Sequence, residues 1–177
     1  MIDIVIEIMN YIGENGPFIL FSSSIFLLWN KENLLFYHIT GNCINLILNL
    51  CLKLWFKHPR PSDNKHKFEL AMKKSNHELF FNHIHYDVFG MPSGHAQSVL
   101  FSTVFLFMSN PTFAIRIFYI MIVLITMWQR VQYDYHTLIQ VMVGGLVGGL
   151  FAFFTFQLSQ MNISGLLREK PDDNAPL

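Results

Sequence analysis

Three stretches of the chain carry residues whose types and spacing suit phosphate chemistry. The first, Lys53-Leu54-Trp55-Phe56-Lys57-His58-Pro59-Arg60-Pro61, sets Lys53 and Arg60 seven residues apart. Seven residues are two helical turns, and a helix there must end before Pro61, so both cations are expected to reach one pocket at headgroup level. Converging cations suggest an anionic ligand. The second stretch, Gly90-Met91-Pro92-Ser93-Gly94-His95, immediately precedes an apolar run. Unpaired N–H groups at a helix start favour a phosphate, and Gly94 lets the backbone come close, so Ser93 and Gly94 are expected to cradle phosphate oxygens. The third runs from Arg130 to Gln140 and places His136 and Gln140 four residues apart at the start of the last apolar run. On one helix face, the Gln140 oxygen can accept from one ring nitrogen of His136 and leave the other free to attack.

The elements that must position these residues are those of a membrane protein. Of 177 residues, 52% are hydrophobic and only 14% charged, against about 25% charged in an ordinary soluble domain. Twelve basic and twelve acidic residues balance to zero formal charge, so the chain lacks the basic footprint of a nucleic-acid binder and no nucleic acid is expected as a partner. Cys43 and Cys51 share one apolar stretch and form no disulfide framework. The start Met1-Ile2-Asp3 lacks the positive charge of a secretory signal, so these residues are read as part of the mature chain.

Apolar runs long enough to span, or nearly so, set the order of elements. Residues 1 to 12 place Asp3, Glu7 and Asn10 at i, i+4, i+7, either as an amphipathic helix lying at the headgroup boundary or as the start of a longer first span. Gly13, Gly16 and Pro17 interrupt before Phe18 to Trp29. Leu34 to Phe56 follows, carrying His38, Asn42, Asn45, Asn49 and Lys53, which should face other helices. Residues 57 to 90 read as an extramembrane loop. Three more spans follow, about His95 to Met108, Thr112 to Trp128 and Thr137 to Phe156. The expected fold is therefore all-α, an integral membrane helical bundle of about five transmembrane helices plus an N-terminal amphipathic helix. A single domain would cover 1–165, with a disordered polar tail over 166–177. In the last span Gly144, Gly145, Gly148 and Gly149 form two small-xxx-small pairs, expected to pack within the bundle rather than to dimerise. Alternating through these spans brings all three reactive stretches to one side of the bilayer.

Lys-x6-Arg-Pro, Pro-Ser-Gly-His and Arg-x5-His-x3, in this order, resemble the three signatures of the type-2 phosphatidic acid phosphatase and haloperoxidase superfamily. The resemblance implies that His136 attacks phosphorus to give a phosphohistidine and that His95 protonates the leaving oxygen. It further implies that Lys53, Arg60, Arg130, Ser93 and Gly94 hold the phosphoryl oxygens and that no metal cofactor is needed. Two residues depart from the common pattern: Gln129 stands where a serine is usual, and Gln140 where an aspartate is. The dolichyl-diphosphatase branch looks similar at this point, with Tyr135-His136-Thr137-Leu138-Ile139-Gln140, the paired glycines after it, and Gly90-Met91-Pro92-Ser93 before His95. That likeness implies hydrolysis of an isoprenoid diphosphate to the monophosphate, in an endoplasmic reticulum-like membrane.

Other readings remain open at this level. A broad phosphatase for phosphatidate and similar lipid monoesters would share every motif. A catalytically silent scaffold on the same fold would tolerate Gln140, and a channel would use Asn42, Asn45 and Asn49 as its lining. His77, His83, His85 and Asp87 suit a lid over the pocket better than a zinc site. Asp134 sits at i−2 from His136 and points away if the segment is helical. Arg116 has the placement of an interface anchor. The side of the membrane that the site faces is undecided, because positive charge favours the cytoplasm and the dolichyl likeness the lumen.

Overall fold

A computed structural model describes residues 2–61 and 88–166. His77, His83, His85 and Asp87, for which a lid is expected, and the tail from residue 167 lie outside them. The described residues form five helices: α1 (Ile2–Leu27), α2 (Glu32–Phe56), α3 (Gly94–Met108), α4 (Phe113–Gln132) and α5 (Leu138–Leu166). Three of them, α2, α4 and α5, are long and apolar enough to cross a bilayer. α3 is apolar but has fifteen residues, about 22 Å at 1.5 Å per residue.

The bundle is apolar on its outside, as a hydrocarbon solvent requires, and its interior sets polar side chains beside an apolar cluster around Phe101, Phe105 and Leu106. Large apolar side chains such as Phe26, Trp55 and Leu146 are exposed, whereas the buried face of α2 carries His38, Gly41, Asn45, Asn49 and Lys53 at spacings of three and four. Asn45 and Asn49 meet Gln97 of α3. Gln97 Nε2 donates to the Asn45 side chain at 2.8 Å, and Asn49 Nδ2 donates to Gln97 Oε1 at 2.8 Å. These interhelical amide bonds occupy the row that a channel would need open. Higher up, His38 sits among the rings of Phe21, Phe101 and Phe105.

The N-terminal segment differs from the separate amphipathic helix that its polar spacing allows. Residues from Ile2 onward continue through Gly13, Gly16 and Pro17 into one helix. The residues that look like breakers are contact points. A Cβ on Gly16 would overlap the Thr126 hydroxyl, and one on Gly13 would lie 2.5 Å from Gln129 Cβ. Packing on α4 thus holds the helix together across Pro17, whose missing N–H leaves one backbone bond unmade. Beyond it Tyr119 bridges Ser23 and Ser24 through its hydroxyl, at 2.8 and 2.9 Å.

The parallel pair α3 and α5 forms the closest seam. Gly144 lies against the Ser93 carbonyl and Gly148 against the Gln97 carbonyl so tightly that a Cβ at either would overlap backbone. Gly145 and Gly149 face Leu100 and Val104 at ordinary contact distances. Both small-xxx-small pairs are therefore used inside the bundle. Gly148→Ala is expected to lower stability by about 1–3 kcal/mol through overpacking, while Gly149→Ala, with its nearest neighbour 3.6 Å away, should change it by less than about 0.5 kcal/mol. Thermal unfolding of the two variants in detergent would check the difference.

Candidate active site

The three motifs meet where α2 and α4 end and α3 and α5 begin. α2 stops at Phe56, with Lys57 in the left-handed conformation (φ 46°) and its N–H returned to the Lys53 carbonyl. Pro59 disfavours helix at His58 and enforces this stop. Lys53 and Arg60 are consequently not two turns apart on one helix, as their spacing suggests. Arg60 comes from a segment that has turned back, in which Pro59 bridges antiparallel to Phe89 and Gly90 N donates to His58 O at 2.7 Å. Lys53 is nevertheless buried at the same end of the bundle. Lys53 and Arg60 act electrostatically on both His95 and His136, and Arg130 acts on His95.

Ser93 is the N-cap residue of α3, and its extended backbone lets the helix start at Gly94. Its N–H donates to the Gln140 carbonyl at 3.1 Å, which ties the second motif to the third. Its hydroxyl is fully buried with no hydrogen-bond partner among the described residues. Such an atom at a helix N-terminus is suited to an anion or a water. Gly94 passes within contact of the Asn49 side chain, 3.2 Å from a hypothetical Cβ.

α4 unwinds after Gln132, and Asp134 takes a positive φ of 55°. The turn is irregular, but Asp134 is exposed and His136 makes its bonds elsewhere. His136 N donates to the Arg130 carbonyl at 3.0 Å, closing the loop that carries both residues. The His136 ring is 3% exposed. Its Nδ1 lies 2.8 Å from the Gly90 carbonyl and 3.3 Å from Gln140 Oε1. Both are acceptors, so Nδ1 carries the proton and Nε2 keeps a lone pair. Gln140 is thus the longer of two contacts, and the shorter partner is a backbone carbonyl that residue types alone do not reveal.

Gln140 has more tasks than orienting a ring. Its Oε1 accepts from Thr137 N at 3.1 Å while its own N–H donates to Thr137 Oγ1 at 3.3 Å. This is a reciprocal capping box, and Thr137-Leu138-Ile139-Gln140 is its sequence signature. Its Nε2 donates to His58 Nδ1 and to the Pro59 carbonyl, each at 2.8 Å. A Cβ on Gly90 would come within 2.7 Å of this amide.

Arg130 is buried, with its Nε donating to Gln129 Oε1 at 2.6 Å and its guanidinium 4.6 Å from the centre of the Tyr135 ring. His95 Nε2 is 3.2 Å from the Glu14 carbonyl of α1. Arg116, at the other end of α4, bonds to Asn110 and the Pro111 carbonyl. No group of three or more metal-ligating side chains occurs among the described residues.

A family model described as the PAP2 superfamily matches residues 33–164, well over half of the chain. No curated protein and no solved structure matches it.

Burial, and then the Arg60 and Lys53 charges, lower the His136 pKa to about 3. Between about 3 and the unfolded value near 6.5 the folded state binds fewer protons than the unfolded one, so this group's contribution to stability is complete above about 6.5 and is lost as pH falls. Histidine-selective ¹⁵N spectra, with His136→Gln for assignment, should show a neutral, Nδ1-protonated ring throughout about pH 5 to 8. A midpoint near 6.5 would contradict this geometry.

Proposed function

Because the chain belongs to the PAP2 superfamily, whose members act on lipid-type phosphate esters, we propose that this protein is a lipid phosphatase that removes one phosphate from an isoprenoid diphosphate of the dolichyl type. The observation that carries this reading is His136: a neutral ring held through Nδ1, with Nε2 unprotonated, within electrostatic reach of Lys53 and Arg60. In this mechanism Nε2 attacks phosphorus, the bond to the leaving oxygen breaks, and His95 supplies the proton to that oxygen. With its Nε2–H on the Glu14 carbonyl, His95 would exchange the proton through Nδ1. Water then attacks the phosphohistidine, with His95 as base, and regenerates His136.

Lys53, Arg60 and Arg130 hold the phosphoryl oxygens together with the Ser93 hydroxyl and the Gly94 backbone, and their charge stabilises the transferring group without a metal ion. Gln140 stands in for the usual carboxylate. Two neutral acceptors, its Oε1 and the Gly90 carbonyl, share the Nδ1 proton as the ring becomes positive during attack, so charge stabilisation is weaker but orientation is retained.

A lipid substrate also needs room for its tail. Between α4 and α5, floored by Leu100 of α3, lies an apolar groove of about 820 Å³. Its walls include Met127, one turn before Arg130, and Ile139 and Met142, within two turns of His136. The hydrocarbon next to the phosphate would enter there, from the membrane. The dolichyl likeness of Tyr135 to Gln140 favours an isoprenoid chain, and with it an endoplasmic reticulum-like membrane. A broader phosphatase acting on phosphatidate is the alternative.

The test is phosphate release from dolichyl diphosphate, dolichyl monophosphate and phosphatidate by detergent-purified protein, with a chelator present and His136→Ala alongside. The proposal expects highest turnover of the diphosphate and a loss of at least about a thousandfold in the variant. Equal or faster phosphatidate turnover would identify the broad enzyme, and no His136-dependent release would leave a non-catalytic scaffold. Met142→Trp, on the exposed wall of the groove, should raise KM for the long-chain lipid about tenfold and leave a short water-soluble phosphate monoester unaffected.

A further inference from the structure

The family match begins at residue 33, yet two groups of α1, far ahead of it, belong to the surroundings of the pocket. Gln129 Nε2 donates to Asn10 Oδ1 at 2.7 Å, and Gln129 Oε1 accepts from Arg130 Nε at 2.6 Å. One turn along α1, the Glu14 carbonyl meets His95, and the Glu14 carboxylate acts electrostatically on Arg130. Gly13 lies between them and touches the Gln129 stem, where any side chain would intrude. The glycine brings α1 near enough for the short Asn10 side chain to reach Gln129.

This arrangement matters because of what a guanidinium can do. Arg130 has five N–H donors in a rigid plane. With Nε committed to Gln129 and one face covered by Tyr135, the plane is set and the two terminal nitrogens are directed as a pair. An amide is the right partner for that purpose. A carboxylate at 129 would hold the same Nε while cancelling the positive charge that an incoming phosphate requires. An isolated Gln129 would in turn be free to rotate, and Asn10 prevents it by occupying the amide's donor side.

We propose that Asn10 and Gln129 form a positioning relay through which α1 orients Arg130 for phosphate, so that the N-terminal helix is a working part of the site. The inference rests on the phosphatase reading. Neither residue touches the reacting atoms, and both act through Arg130.

The experiment uses the full-length protein, a short water-soluble phosphate monoester as substrate and inorganic phosphate as competitive inhibitor. Asn10→Ala should raise the inhibition constant of phosphate about tenfold and lower kcat/KM to a similar extent. Asn10→Asp, which restores the acceptor for Gln129, should return both to within about threefold of the starting protein. Gln129→Glu should keep its melting temperature and still bind phosphate about tenfold more weakly, because the carboxylate holds Arg130 Nε, with the Asn10 amide turned over to donate to it, while cancelling the guanidinium charge. If Asn10→Ala does not fold, Gln129→Met reads the relay from the α4 side, with the same loss expected. An unchanged inhibition constant in Asn10→Ala, or an Asn10→Asp protein as impaired as the alanine variant, would overturn the relay alone. A starting protein that neither binds phosphate nor releases it would overturn the relay and the phosphatase reading together.

Discussion

The Gln140 side chain is 1% exposed, and a buried amide must find local partners for two donors and an acceptor oxygen or forfeit free energy on folding. The partners it finds belong to different parts of the chain. Its oxygen serves His136 and Thr137, its nitrogen serves His58 and Pro59, and its backbone carbonyl receives the Ser93 N–H. The end of α2, the start of α3 and the start of α5 are thereby registered against one another by one residue. Removing the end of α2 or the start of α5 would leave part of the amide unsatisfied, and removing the start of α3 would free the backbone carbonyl beside it, so the three motifs form a cooperative unit.

Electrostatics explains the choice of amides around it. Lys53, Arg60 and Arg130 are buried or half-buried cations gathered at one end of the bundle. A carboxylate in place of Gln129, in direct contact with Arg130, would hold the guanidinium equally well and weaken its attraction for an anion. Gln129 and Gln140 supply direction without charge, and the backbone carbonyls of Gly90 and Glu14 do the same for the two imidazoles.

Much of this is legible in the order of residues, and the rest is not for identifiable reasons. The helical runs of α2 to α5 follow from apolar length, and the intrahelical i, i+4 pairing of His136 with Gln140 follows from spacing. The paired glycines announce a close seam, although not which helix they meet. Gly13, Gly16 and Pro17 mislead, because propensity treats them as breakers whereas packing on Thr126 and Gln129 uses the small size of the two glycines and the helix runs on through Pro17. Arg60 misleads for a related reason: two turns of helix and a reversed loop can bring the same two cations together. The Gly90 carbonyl leaves no trace in side-chain patterns at all. The capping box at Thr137, by contrast, is written in the sequence and identifies Gln140 as a structural as well as a chemical residue.

The crowding of Gly90 against the Gln140 amide couples two positions fifty residues apart in the chain. A shorter carboxylate at 140, the usual residue in the resembling pattern, would withdraw from His58 and Pro59 and vacate the volume that now forbids a side chain at 90. A side chain at 90 would therefore have to displace the Gln140 amide from its His58 and Pro59 partners. Positions 90 and 140 thus share one volume, and a change at either alters what the other can hold.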